Sequence, residues 1–360
     1  MTAALELMVG DWVAVRSAGE ILATLDESAC LDELPFMPQM LQYCGKKLRV
    51  AKLAHKMCDT VHGTGARQMN DAVFLGDLRC DGAAFGGCEM TCTIVWKNAW
   101  LRRVGESEVI EPTQPDERLD TLVVAATRRA SPNGSTSDQY FSCQATKLPV
   151  ATRPLPWWRT NQYVFDYQSG NVGMSTLLSR MAFMGYSALV SSGLGFGSAL
   201  RWTYDAFQAM RGGVPFPIHA GRHPTGGVKP PVELGLQPGD LVRVKSIDRI
   251  LETVDKRLMN RGMSFHSEMV PYCGKAFRVK GQVRKIINEK TGQLVTLKNS
   301  CIVLEGAGCH GGCTTPINCP RALPPSWRDI WPGRGDTATT SETDRQGGKM
   351  PRCDIAASPH

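Results

Sequence analysis

Gly10-Asp11-Trp12-Val13-Ala14-Val15-Arg16-Ser17 returns 229 residues later as Gly239-Asp240-Leu241-Val242-Arg243-Val244-Lys245-Ser246. Tyr43-Cys44-Gly45-Lys46-Lys47-Leu48-Arg49-Val50 returns at the same offset as Tyr272-Cys273-Gly274-Lys275-Ala276-Phe277-Arg278-Val279. Between them Ile21-Leu22, Thr24, Asp26, Phe36 and Met40 pair with Ile250-Leu251, Thr253, Asp255, Phe265 and Met269. Residues 10–50 and their counterparts share 17 identities in 41 ungapped positions, so the chain reads as one module used twice. Both copies close on a Trp-x-x-x-Trp pair, Trp96/Trp100 and Trp327/Trp331.

Within each copy short apolar–polar alternations are separated by Gly and Asp or Asn, the pattern of antiparallel strands in a small barrel. Leu241, Val242, Val244 and Ile247 make one such run, Phe277, Val279 and Val283 a second, and Leu294, Val295 and Leu297 a third. Asn288 to Gln293 reads as a hairpin turn, and segments 28–42 and 257–271 as turn-rich stretches with one helical turn. Gly and Pro together supply 36 and 22 of the 360 residues, which also favours short strands over long helices. The expected fold is mainly β: two SH3-like barrel modules joined by an α-helical insert. The expected domains are residues 1–110, a loop and helical middle at 111–225, residues 226–332, and a disordered tail at 333–360.

The Gly-Asp-x-Val-x-Val-x-Ser opening resembles the first strand of SH3-like barrels of the KOW type. The wider pattern adds His55-Lys56-Met57-Cys58-Asp59-Thr60, Arg79-Cys80-Asp81-Gly82, Gly86-Gly87-Cys88 and Trp96 to Arg103. It resembles an uncharacterised family of bacterial proteins often found beside natural-product or polysaccharide biosynthesis genes. The resemblance covers most of 10–104, part of the middle and 238–331. It implies an accessory protein with no assigned activity. The pattern places His where Phe85 stands, so position 85 supplies no ligand atom here.

Thirteen cysteines, an odd number, do not form a tidy secreted disulfide framework. The N-terminus has no basic signal-peptide region, so the expected location is cytoplasmic, with reduced thiols. His55, Cys58, Cys80, Cys88 and Cys92 in copy one, with Cys143 as a sixth candidate, supply the N and S donors that zinc takes at tetrahedral corners. In copy two Cys309, Cys313 and Cys319 cluster, with Cys301 a further candidate or a core thiol. Zinc is the expected metal, with iron or an iron–sulfur cluster on the same ligands as the alternative. Cys44 and Cys273, equivalent in the repeat, read as structural thiols. Copy two has Arg284, Ile287 and Asn288 where copy one has His55, Cys58 and Asp59, so copy one is the specialised one.

The net charge of +7 is uneven. Residues 10–104 hold 11 basic and 11 acidic side chains, whereas 238–334 hold 16 and 8. A basic barrel can attract nucleic acid. Few aromatics are interleaved with these charges, so single-strand stacking has little support. Met181 to Leu200 carries no charge, but four Gly, four Ser and a Tyr make it a poor membrane span, and it is expected to form a buried helix pair. Trp157, Trp158, Tyr163 and Tyr167 are expected in an inter-domain core, and His219 and His223 in a solvent-exposed linker. The leading function is a zinc-stabilised, non-catalytic accessory or binding protein of specialised metabolism, with a protein or small molecule as partner and no membrane. The alternatives are a metalloenzyme using the copy-one site and nucleic-acid binding through copy two.

Overall fold

Gly10 and Gly239 sit at φ +96° and +92°, in the left-handed region that an L side chain resists. Each turns the chain into a first strand, and the Asp that follows caps the turn. Asp11 accepts from Met8 N at 2.8 Å, and Asp240 from Gln237 N at 2.9 Å. A computed structural model describes residues 6–111, 113–132, 134, 138–224, 234–312 and 318–334. The fold is β-rich with a substantial helical part. Two compact units divide the chain: residues 1–173, 284–298 and 318–323 form unit 1, and 174–283, 299–317 and 324–360 form unit 2.

Unit 1 is built on strands β1 (Trp12–Val15), β2 (Lys47–Leu53), β3 (Lys56–Cys58), β4 (Ala66–Gln68), β5 (Ala72–Arg79), β6 (Thr93–Lys97), β7 (Leu101–Arg103) and β8 (Arg153–Leu155). One antiparallel sheet runs β6-β5-β2-β1-β7, and a second, three-stranded one runs β8-β4-β3. Helix α1 (Ala18–Leu22) starts on a capping box in which Glu20 N donates to Ser17 Oγ at 3.4 Å and Ser17 N to Glu20 Oε2 at 2.9 Å. Helices α2 (Glu117–Thr127), α3 (Gln144–Ala151) and α4 (Asn161–Gln168) complete the unit. Leu119, Val123 and Leu148 of α2 and α3 are buried in the same core as the sheet.

Unit 2 contains α5 (Met174–Val190), α6 (Gly197–Arg211), α7 (Ile247–Leu251) and strands β9 (Leu241–Val244), β10 (Ala276–Ile287), β11 (Leu294–Leu304), β12 (Trp327–Arg328) and β13 (Pro332–Arg334). Its sheet order, β12-β11-β10-β9-β13, mirrors that of unit 1. The registers correspond as well. Val13 opposes Leu48 and Arg103, and Val242 opposes Phe277 and Arg334. The distal part of the β10–β11 hairpin, residues 284–298, belongs to unit 1. There Phe141 N donates to Gly292 O and Leu294 N to Gln139 O, both at 2.8 Å.

Each core is keyed by its tryptophans. Trp96, Trp100, Trp327 and Trp331 are wholly buried. A buried indole N–H needs an acceptor. Trp100 Nε1 donates to Thr24 Oγ1 at 3.1 Å, and Trp331 Nε1 to Thr253 Oγ1 at 3.0 Å. Phe36 packs edge-on against Trp100 at 5.2 Å, as Phe265 does against Trp331 at 5.5 Å. The turn-rich segments carry 3-10 turns at Pro38–Tyr43 and Ser267–Tyr272, and Cys44 and Cys273 cap them with half-buried thiols.

Three expectations are corrected. Trp157, Trp158 and Tyr167 are exposed, and only Tyr163 of that aromatic group is buried: the two tryptophans precede α4, and Tyr167 lies in its last turn, beyond the buried Gln162, Tyr163 and Asp166. Met181 to Leu200 forms a helix pair, but its end is exposed rather than buried. His219 and His223 are half-buried, since residues 222 and 223 are bonded to Leu251 O and Val254 O. Among the described residues no helix is long and apolar enough to cross a membrane. The tail from 335 onward and part of the linker, 225–233, lie outside the described residues.

Candidate functional site: a thiol pair and a sulfur-lined cavity

Strand β3 presents the site. It pairs with β4 in the register Lys56↔Gln68, Met57↔Arg67 and Cys58↔Ala66. Asp59 then ends the strand by folding the next loop onto its carboxylate, which accepts from Val61 N at 3.1 Å, His62 N at 2.8 Å and Thr64 Oγ1 at 2.5 Å. Burial opposes its charge, but these donors and Arg67 outweigh it and hold Asp59 below the usual carboxylate range.

The sulfur of Cys319 lies against β3. Cys58 N donates to Cys319 Sγ at 3.3 Å. Cys58 is partly accessible and Cys319 is buried. Arg321, also buried, spans the Cys58 end of the strand. Its Nη1 lies 3.3 Å from Cys58 O, 3.2 Å from Thr60 Oγ1 and 3.9 Å from Cys58 Sγ. Cys319 donates a hydrogen bond to the Cys58 sulfur, and Arg321 adds a positive charge. Together they overcome burial and pull the Cys58 thiol down to about 6. The same hydrogen bond and burial push Cys319 upward. These contacts favour the thiolate at Cys58, the nucleophilic form of the side chain.

A buried carboxylate holds the two segments together. Asp166, on α4, receives Lys56 Nζ at 2.6 Å and Asn318 Nδ2 at 3.0 Å. Lys56 and Asp166 are both fully buried. His55 Nε2 is 2.8 Å from the other Asp166 oxygen, a close contact without hydrogen-bond alignment, and its Nδ1 is 3.3 Å from Asn171 Nδ2. Asp166 thus ties β3, just before Cys58, to Asn318, just before Cys319.

Beside this pair is a cavity of about 40 Å³. Its wall includes the thiols of Cys80, Cys88, Cys92 and Cys143 and the thioethers of Met37, Met57 and Met90, with Glu289 and Arg321 as its charged groups. Cys80 N donates to Cys92 O at 2.8 Å, which closes the loop between them. Gly82, at φ +71°, leaves room that a Cβ would take, 1.8 Å from Cys88 O. Gln39 Nε2 donates to Cys80 Sγ at 3.1 Å. Burial pushes Cys80 up to about 12 and raises Cys92 and Cys143 too.

The structure thus regroups the candidate ligands. Cys58 meets Cys319 rather than His55, whose ring nitrogens face Asp166 and Asn171. Cys80, Cys88 and Cys92 share the cavity with Cys143. Cys309 is in unit 2, next to His310, which contacts Tyr272 Oη at 2.7 Å. Cys301 is buried beneath Arg328, whose Nη1 is 3.5 Å from its sulfur. Cys313 lies outside the described residues. Among the described residues no group of three or more His, Cys, Asp or Glu side chains is disposed to hold a metal ion. Sequence reasoning missed Asp166 and Arg321. Neither stands in a cysteine motif, and Arg321 counted only as one basic residue of copy two.

No family model matches the chain, and no curated protein and no solved structure is similar to it.

Proposed function

We propose that unit 1 carries a redox-active dithiol, with Cys58 as the attacking thiolate and Cys319 as the resolving thiol. The observation that carries this reading is the 3.3 Å approach of Cys319 Sγ to Cys58 N beneath the Arg321 guanidinium. The co-reactant is a low-molecular-weight disulfide. The Cys58 thiolate attacks one of its sulfurs, forming a mixed disulfide and releasing one thiolate, which takes a proton from solvent. Cys319 then attacks the Cys58 sulfur, gives its proton to the second departing sulfur, and closes the Cys58–Cys319 bond. The pair loses two electrons, and the external disulfide is reduced to two thiols. Arg321 favours the first step by stabilising the thiolate, and Asp166 is a positioning residue. Such a dithiol suits the accessory role in specialised metabolism that the resemblance implies.

Alkylation by iodoacetamide across a pH series, read by peptide mapping, tests this. Cys58 should be modified with a midpoint near pH 6. A midpoint at the ordinary thiol value of about 8.5 contradicts the reading.

A second reading is zinc, or iron, on the thiols of unit 1. It rests on the Cys and His spacing of copy one, since the cysteines around the cavity are not disposed as a ready ligand set. Elemental analysis of the purified protein decides it: one equivalent per chain supports a metal, and none rejects it. We further infer that the two sheets are copies of one SH3-like barrel. Their matched order, register and Trp–Thr hydrogen bonds support that inference.

A further inference from the structure

The helical hairpin of α5 and α6 ends in an apolar tip. No charged residue lies between Arg180 and Arg201. Tyr186 Oη donates to Leu200 O, which places Tyr186 level with the Leu200–Arg201 turn. Above that level the chain runs from Ser187 through Val190, turns through Ser191–Phe196, and returns to Leu200. Every residue of the turn is exposed. Leu189, Leu194 and Phe196 are 52 %, 66 % and 47 % exposed, so the three largest apolar side chains of the tip face solvent together. Just below, Trp202 is 70 % exposed, and Arg201 has its guanidinium carbon 5.1 Å from the centre of the Phe216 ring. Phe183, Tyr186, Tyr204 and Phe216 pack together below the tip and hold the two helices to each other.

Water disfavours such a tip, because removing this apolar surface from water is favourable. The arrangement has a vertical order: apolar at the end, then tyrosine, tryptophan and arginine. The four helical residues above Tyr186, Ser187 to Val190, rise about 6 Å at 1.5 Å per residue before the turn, within the depth an interfacial element reaches into the headgroup and acyl boundary. Tryptophan and tyrosine prefer that boundary, and arginine reaches phosphate there. The chain's net charge of +7 complements an anionic surface.

We propose that the tip of the α5–α6 hairpin, with Leu189, Leu194 and Phe196 inserted and Arg201 and Trp202 at the headgroup level, docks on an anionic lipid surface without spanning it. The proposal is independent of the dithiol. Co-sedimentation of the full chain with phosphatidylcholine vesicles, with and without phosphatidylglycerol, tests it. The protein should pellet with the phosphatidylglycerol vesicles and be released by a carbonate wash. The double substitution Leu194→Asp with Phe196→Asp should lower the partition coefficient by more than about tenfold, with an unchanged melting temperature. A wild-type chain that stays in the supernatant with every vesicle overturns the proposal. So does a wild-type dimer in solution that the same substitutions convert to monomer, since the tip is then covered by a second copy.

Discussion

The amide of Cys58 donates to the sulfur of Cys319 at 3.3 Å, across 261 positions of sequence. The Cys319 side chain and the charge on Arg321 hold Cys58 down, while burial holds Cys80, Cys92 and Cys143 up. Cys58 is thereby set apart from Cys80, Cys92 and Cys143.

Removing Cys319 should change the titration of Cys58. In Cys319→Ala the strongest stabiliser of the thiolate is lost, so the Cys58 midpoint moves upward from about 6 toward the ordinary thiol value. At neutral pH alkylation of Cys58 then slows. An unchanged midpoint would show that Arg321 alone sets it.

Asp166→Asn should destabilise unit 1 by about 3–5 kcal/mol, because Lys56 is left as an uncompensated buried charge. Urea denaturation measures it. The paired substitution Lys56→Met with Asp166→Leu should recover most of that loss, since it removes both charges together. If the single substitution costs less than 1 kcal/mol, the ion pair is not as buried as described.

Thr24→Val and Thr253→Val each strand a buried indole N–H. Each should cost about 1–3 kcal/mol in denaturant unfolding. Equal costs support the equivalence of the two sheets, and a large effect in one with none in the other contradicts it.

Asp59 links stability to acid. Its folded-state pKa is depressed, so its contribution is present above the ordinary carboxylate value and is lost as pH falls through the folded value. Asp59→Asn should lower the melting temperature at neutral pH and flatten its decline on the acid side. A wild-type chain and variant with parallel acid limbs would exclude this linkage.

The strand framework was legible because it repeats. The Gly-Asp turn, the alternating valines and the Trp-x-x-x-Trp pairs act through local backbone geometry and side-chain burial, and both are written into spacing. The site was not legible in the same way. Cys58 and Cys319 belong to different copies of the repeat, and they meet because residues 284–298 and 318–323 fold into unit 1. Reading each copy alone assigned Cys58 a partner in His55 and Cys319 one in Cys309, on nearness in sequence. Asp166 sits on a helix of the middle region, where no motif marks it. The exposed hairpin tip was misjudged for a related reason. Its composition matches that of a buried pair, and only the packing shows that the partner surface ends at Tyr186 and Tyr204.

The most direct test of the dithiol is mass spectrometry of the full chain after treatment with oxidised glutathione. The account predicts a loss of two hydrogens per chain and, after digestion without reduction, a peptide joining Cys58 to Cys319. Recovery of both cysteines as free, alkylated thiols after that treatment would contradict it.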